Sequence, residues 1–245
     1  SATRTVEMEA ASEAGEILVS TETAALLDGD AVGEEKGTGR LLQASPGVHG
    51  AVEPLPHVDG ISLEVAVPAP LRAQLLEVGP LEGEHRHAAI AFVRFSGTDE
   101  VIATEGVEAA ADALEILVKN VQAAAAEHQV TFLESDVDRD GGRIVLVSGA
   151  PQTFGDDEER MLRTVRAVVD SGLPLPVRIG VSQGRVFTGQ VGASFRRTYT
   201  VLGDTAALAA RLMARAGEDE IWVSAEAYRR GGARFAATEL EPLEL

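Results

Sequence analysis

Three carboxylates stand at alternate positions in Asp136-Val137-Asp138-Arg139-Asp140-Gly141-Gly142. Oxygen donors spaced in this way before a glycine turn form the front of a calcium-type loop, so Asp136, Asp138 and Asp140 are candidate metal ligands. The twelfth position of such a loop carries a bidentate Glu, but here it is Val147, and strand-like rather than helical runs flank the segment. A weak divalent-cation site and a solvated acidic hairpin tip both remain open. A second acidic group, Asp156-Asp157-Glu158-Glu159, opens a helical pattern, where negative charge complements the helix dipole; it reads as structural. His85 and His87 bracket an apolar run and read as solvated side chains rather than ligands. Arg211, at helical spacing after Ala207, offers a guanidinium to either an anionic ligand or a surface ion pair.

Periodicity suggests the elements that position these groups. Ala88–Phe95 is a buried-type strand, broken at Ser96-Gly97-Thr98 and followed by a short helix over Asp99–Thr104. Val107–His128 has Val107, Ala110, Leu114, Leu117, Val121 and Ala124 at helical spacing, forming a sheet-facing stripe. Val130–Glu134 and Arg143–Ser148 form a hairpin with an enlarged acidic turn, Ser135–Gly142. A helix over roughly Asp156–Ser171 ends at Gly172. Val177–Ser182 then reads as a strand, Gln183-Gly184 as a turn, and Arg185–Val191 as a second strand. After a polar loop, Gly192–Arg197, a third extended run covers Thr198–Leu202. A helix capped by Asp204 or Thr205 continues through Met213. The order β-α-β-β-α-β predicts an α+β, ferredoxin-like sheet with helices packed on one face.

RIGVSQGRVFTGQVG followed by RRTYTVLGDTAALAARL resembles the C-terminal core of class III adenylyl/guanylyl cyclases. That family has the ferredoxin-like fold. The resemblance implies cyclisation of a nucleoside triphosphate between two paired domains, with Mg or Mn on the phosphates and ATP as the candidate nucleotide. It also implies two metal-binding Asp residues, a base-reading Lys and an Asn…Arg pair. Aligned with the family's F-x-D-x-x-G-F-T, the chain reads Phe92-Val93-Arg94-Phe95-Ser96-Gly97-Thr98-Asp99, with Arg94 at the first metal position. A guanidinium has no lone pair for a cation. It can hold a phosphate bidentately or end the strand in an ion pair. By the same resemblance Arg94, Ser96, Gly97, Thr98, Thr200 and Asp204 are the expected nucleotide-binding residues, and Arg211 the catalytic one. Asp136 keeps the second metal position, Phe132 replaces the base-reading Lys, and Ala207 replaces the Asn.

The composition sets the wider frame. There are 21 basic and 39 acidic residues, for a formal charge of −18. That charge repels nucleic acid and anionic membranes, so neither is an expected partner. The absence of Cys excludes disulfides and thiolate metal sites. No apolar run approaches the roughly twenty residues of a bilayer span, and no signal peptide is visible, which predicts a cytoplasmic protein. SEAGEILVSTETAALL near the start parallels ARAGEDEIWVSAEAYRR near the end, and both resemble the segment after the last helix of the cyclase core. This internal repeat suggests tandem domains in a fragment of a longer chain. Residues 1–44 would be the tail of a preceding cyclase-like domain, 45–84 a linker with a short edge strand (Ile61–Val67) and helix (Leu71–Val78), and 85–245 the cyclase homology domain. A short strand, Gly39–Ala44, follows a glycine-rich turn around Gly33–Gly39.

The expected function is a cyclase homology domain of a bacterial signalling protein, catalytically impaired and acting as a dimerising or regulatory module. Its partner would be a second copy or a tandem domain of the parent chain. The alternative is an active adenylate cyclase producing cyclic AMP and pyrophosphate at a dimer interface. A third reading, a diguanylate-cyclase-like domain, draws on Arg139-Asp140-Gly141-Gly142-Arg143 but lacks the acidic pair after the glycines.

Overall fold

The structure, a computed structural model, describes residues 2–45, 67–77, 83–193 and 196–242. The chain divides into two units, Ser1–Ser62 with Val137–Gly141, and Leu63–Asp136 with Gly142–Leu245. The expected edge strand Ile61–Val67 and the linker Ser45–Val58 lie, apart from Val67 and Ser45, outside the described residues.

In the first unit α1 (Ala2–Ala11) precedes β1 (Leu18–Val19), α2 (Thr21–Ala24), a 3-10 turn at Gly29–Ala31, β2 (Val32–Lys36) and β3 (Gly39–Leu42). The strands form a small sheet in the order β1-β3-β2. The glycine-rich turn expected over Gly33–Gly39 is confined to Gly37 and Thr38. Lys36 pairs with Gly39 across a two-residue hairpin loop, and Gly37 supplies a φ of +59°. Ser20 caps α2 by accepting the Thr23 N–H at 3.1 Å.

The second unit carries α3 (Ala69–Glu77), β4 (Glu84–Ser96), α4 (Thr98–Thr104), α5 (Val107–Glu127), β5 (Thr131–Asp138), β6 (Gly141–Ser148), α6 (Asp157–Asp170), β7 (Val177–Ala193), β8 (Arg196–Leu202), α7 (Asp204–Arg215), β9 (Glu220–Val223), α8 (Ala225–Gly231) and a 3-10 turn at Gly232–Arg234. Its sheet runs β5-β6-β4-β7-β8, with β9 parallel to β7. The stretch from β4 to β7 is the expected β-α-β-β-α-β unit, and the class is α+β. Because strand side chains alternate, the sheet makes two cores. Ala89, Ala91, Val93 and Phe95 of β4 join Leu117 and Val121 of α5 and Met161, Val165 and Val168 of α6. Ile90, Val145, Val147, Val186 and Val201 join Ala209 of α7 on the opposite face. Both helices of the repeat therefore cover one face, and α7, outside the repeat, crosses the other.

Three local expectations are corrected. Gln183-Gly184 is no turn, since β7 is continuous and Gln183 pairs with Ala89 of β4. A Cβ at Gly184 would meet Thr205 Oγ1 at 2.5 Å, so the glycine serves close approach of α7. The acidic turn is also shorter than expected. Asp140 (φ +51°) and Gly141 (φ +145°) let strand pairing reach the hairpin tip, leaving a loop of Arg139 and Asp140. The stripe on α5 buries Ala110, Ala113, Leu117, Val121, Ala124 and Ala125, whereas Val107, at the helix start, is 71% exposed.

Among the described residues, β7 beyond Thr188 leaves β4 and pairs with β8, with Gln190 facing Tyr199 and Gly192 facing Arg197.

Candidate functional site

Arg94 lies near the end of β4, where Val93 and Phe95 on either side of it point into the α5–α6 core. Alternation therefore places Arg94 on the opposite face, half-buried. Its direct cross-strand partner on β7 is Arg178. Arg178 follows the same logic, since its neighbours Val177 and Ile179 belong to the α5–α6 core. The other flank of β4 is β6. A Cβ on Gly142 would meet the Phe95 ring at 2.6 Å, and one on Gly149 the Ala88 Cα at 3.3 Å, so β6 runs antiparallel to β4 with its first residues beside the end of β4. Arg143, next to Gly142 and before the core residue Ile144, therefore shares the face and the strand end of Arg94. Three arginine positions thus stand in a row across β6, β4 and β7.

The carboxylates nearby are held by this row. Asp136 Oδ2 accepts from Arg143 Nη2 at 3.3 Å, and Glu218 lies 3.5 Å from Arg178 Nη2. The Nε–H of Arg178 is buried and has no hydrogen-bond partner among the described residues. Asp138 accepts the N–H of Arg139 through Oδ1 at 2.7 Å. Among the described residues, no group of three His, Asp or Glu side chains could hold a metal ion. The residues present therefore do not fit the two-cation arrangement that the resemblance implies. A guanidinium occupies one ligand position and an ion pair engages the other carboxylate.

The remaining expected residues fall elsewhere. Ser96 ends β4, its N–H donating to Pro176 O at 3.3 Å; Gly97, with φ +93°, precedes α4, and Thr98 opens it. Thr200 on β8 pairs with Gly189. Asp204 begins α7 after Gly203, whose φ is +140° and which makes no side-chain cap; the expected cap by Asp204 or Thr205 is replaced by that glycine. The Thr205 hydroxyl instead donates to Arg185 O at 3.4 Å. Asp204 also lines a shallow cavity of about 400 Å³ with His85, Arg185, Phe187, Leu202 and Gly203. His85 and His87 lie within β4 rather than flanking a strand, and His85 packs edge-on to Phe187 at 5.8 Å between ring centroids. Arg211 and Ala207, one turn apart on α7, are both exposed. Phe132 packs against the α5–α6 core. Asp157, the first residue of α6, is buried and accepts from the Ser148 hydroxyl at 3.2 Å and the Phe154 N–H at 3.3 Å. Asp156 and Glu159 pair with Arg160 and Arg163. These roles are structural, as expected.

Sequence reasoning missed Arg143 and Arg178. Each sits one residue from a buried aliphatic, so strand alternation marks its face, but their alignment with Arg94 depends on the register between strands.

Comparison with known proteins matches residues 86–245 to the Adenylate and Guanylate cyclase catalytic domain. The uncharacterized protein Rv1318c of Mycobacterium tuberculosis is 30% identical over 165 residues, 62% of this chain and 28% of its own length. The chain thus spans little more than a quarter of that relative. Among solved structures, the adenylyl cyclase CyaB from P. aeruginosa is similar at a TM-score of 0.54 and 24% identity, over 61% of this chain and 82% of that one. The guanylate cyclase domain of RhGC from Catenaria anguillulae, solved in complex with GTP, has a TM-score of 0.58 and 19% identity, over 66% of this chain and 91% of that one.

Proposed function

Because this chain belongs to the adenylate and guanylate cyclase catalytic domain family, we propose that it is a catalytically impaired cyclase homology domain. On this reading it serves a bacterial signalling protein as a dimerising and regulatory partner. The observation that carries the reading is Arg94, flanked by Arg178 and the Arg143–Asp136 pair, at the strand end where the family resemblance calls for metal-binding carboxylates.

Cyclisation drives the ribose 3′-oxygen into the α-phosphate and expels pyrophosphate. Divalent cations, when bound, would supply charge neutralisation on the phosphates. The donor set here does not hold them, so no step is assigned to a cation. Phe132 is committed to core packing and has no donor for a base edge. Ala207 offers no hydrogen bond where the family has Asn. Losing one transition-state donor raises a barrier by about 2.7–4 kcal/mol.

The exposed position of Arg211 favours a second reading. Its guanidinium faces outward from α7, free of core packing, and is available to a site completed by another domain that carries both metal carboxylates. Thr200 would then contribute to base selection. The parallel between the segments around Ser20 and Ser224 supports tandem domains in the parent protein. Each Ser caps the helix that follows a short strand, and each segment has a Glu carboxylate accepting, at 2.8 Å, the N–H three residues before it (Glu16 from Glu13, Glu220 from Gly217).

The test is product formation from ATP and from GTP with Mn²⁺, using the chain alone and mixed with a separate, intact domain of this family. The expected result is no cyclic nucleotide from the chain alone. Turnover by the chain alone that is abolished in Arg211→Ala would overturn the impaired-enzyme reading.

A further inference from the structure

In each unit a helix leads through a short strand into a second helix capped by Ser: α1, β1 and α2 in the first, α7, β9 and α8 in the second. The two segments match without a gap, since α1 ends at Ala11, nine residues before Ser20, and α7 ends at Arg215, nine before Ser224. In this register Met8 stands for Leu212, and both are buried; Thr5 stands for Ala209, and Ile17 for Ile221. In the second unit a core closes around the segment. β9 pairs in parallel with β7, from Arg178 opposite Glu220 to Val181 opposite Val223. The backbone of Ala209 crosses Gly180 of β7 in close approach, and Ile221 packs on the α5–α6 core. In the first unit the same places are open. Among the described residues β1 pairs along one edge only, with β3; Thr5 is exposed, and Ile17, just before β1, is 57% exposed.

We propose that the free edge of β1 is a docking surface for a parallel strand of a separate, similar core, which α1–β1–α2 closes as α7–β9–α8 closes this one. The inference rests on the tandem-domain reading of the parent protein. Strand addition of this kind takes its affinity from main-chain hydrogen bonds and its specificity from the side chains on either face. The partner core must therefore be apolar where it meets Ile17, and its strand must carry a glycine where α1 crosses, as Gly180 does beneath α7. β7 of a second copy fits this description, but its edge is already taken by β9.

The experiment joins a second copy of residues 83–204 directly ahead of Ser1 of the 245-residue chain, which gives α1 the spacing that α7 has from β8. Hydrogen exchange, read by mass spectrometry on peptides covering Ile17–Ser20, compares this fusion with the unmodified chain. Those amides should exchange at least about tenfold more slowly in the fusion. Two variants of the fusion should return to the rate of the unmodified chain: Ile17→Asp, and Gly180→Val in the added copy alone, where a side chain would strike α1. In the unmodified chain Ile17→Asp changes an exposed side chain and should leave the melting temperature within about 2 °C. An unchanged rate in the fusion overturns the inference, as does protection that survives either variant. Protection of the unmodified chain that grows with its concentration would make a second copy the occupant and overturn it too. The readings it rests on fail separately. Turnover of ATP or GTP would sink the impaired-enzyme reading, and a parent protein with no such core ahead of Ser1 would sink the tandem reading, whereas unchanged exchange in the fusion sinks the docking surface alone.

Discussion

Gly180 is the place where one methyl group should disturb the whole second face of the sheet. It lies in β7 between Phe92 of β4 and Trp222 of β9. A Cβ built there would stand 2.1 Å from Ala209 O and 2.2 Å from Met213 N, both backbone atoms of α7. Ordinary contact begins at 3.4 Å, so the helix must retreat by about 1.3 Å. Backbone atoms cannot rotate aside as a side chain would. The retreat opens the packing of Ala209 and Leu212, both buried on α7. Overpacking of this kind costs about 1–3 kcal/mol, and the lower chain entropy of Ala in the unfolded state offsets about 0.4–1 of it. A net loss of about 1–2 kcal/mol at this chain length lowers Tm by roughly 2–8 °C. Thermal and urea unfolding followed by circular dichroism reads the loss, and amide exchange along Ala209–Arg215 should quicken. Gly29→Ala, whose added Cβ would meet nothing within 4 Å, should stay within about 0.5 kcal/mol of the parent. A Gly180→Ala protein as stable as the parent, with α7 exchange unchanged, would refute the reasoning.

Two further outcomes follow from α6. Asp157→Ala leaves the buried Ser148 hydroxyl and the Phe154 N–H without their acceptor and should destabilise the fold by about 1–3 kcal/mol in urea titration. Hydrogen bonds from Arg160, Arg163 and Arg166 hold Asp156, Glu159 and Asp170 below their ordinary carboxylate values. Carboxylates depressed in the folded state stabilise it fully above the unfolded values of 3.8 and 4.5, and lose that contribution as pH falls through the folded ones. Urea midpoints should therefore decline below about pH 4.5, less steeply at high salt and in Arg163→Gln.

Much of the fold was legible because periodicity reports which face is buried. The α5 stripe, apart from Val107, and the buried β4 run announce themselves through spacing alone. Gly184 misled because glycine signals both a turn and a close approach; only the position of Thr205 distinguishes the two. The hairpin tip misled because Asp140 and Gly141 together accept positive φ, which turns an acidic stretch from loop into paired strand. At the candidate site, the replacement of a carboxylate by Arg94 was visible in one dimension. The arginines beside it were not, because neighbours across a sheet are set by register, and hydrophobic alternation fixes only their side of it.

Among the described residues, β7 beyond Thr188 pairs with β8 and no longer with β4, and Val191 on it is 49% exposed. An isolated pair of strands is marginal in water. This stretch should behave as a limb whose length can change without the body noticing: residues added or removed beyond Gln190 would alter how far it reaches and leave the melting of the sheet behind it intact.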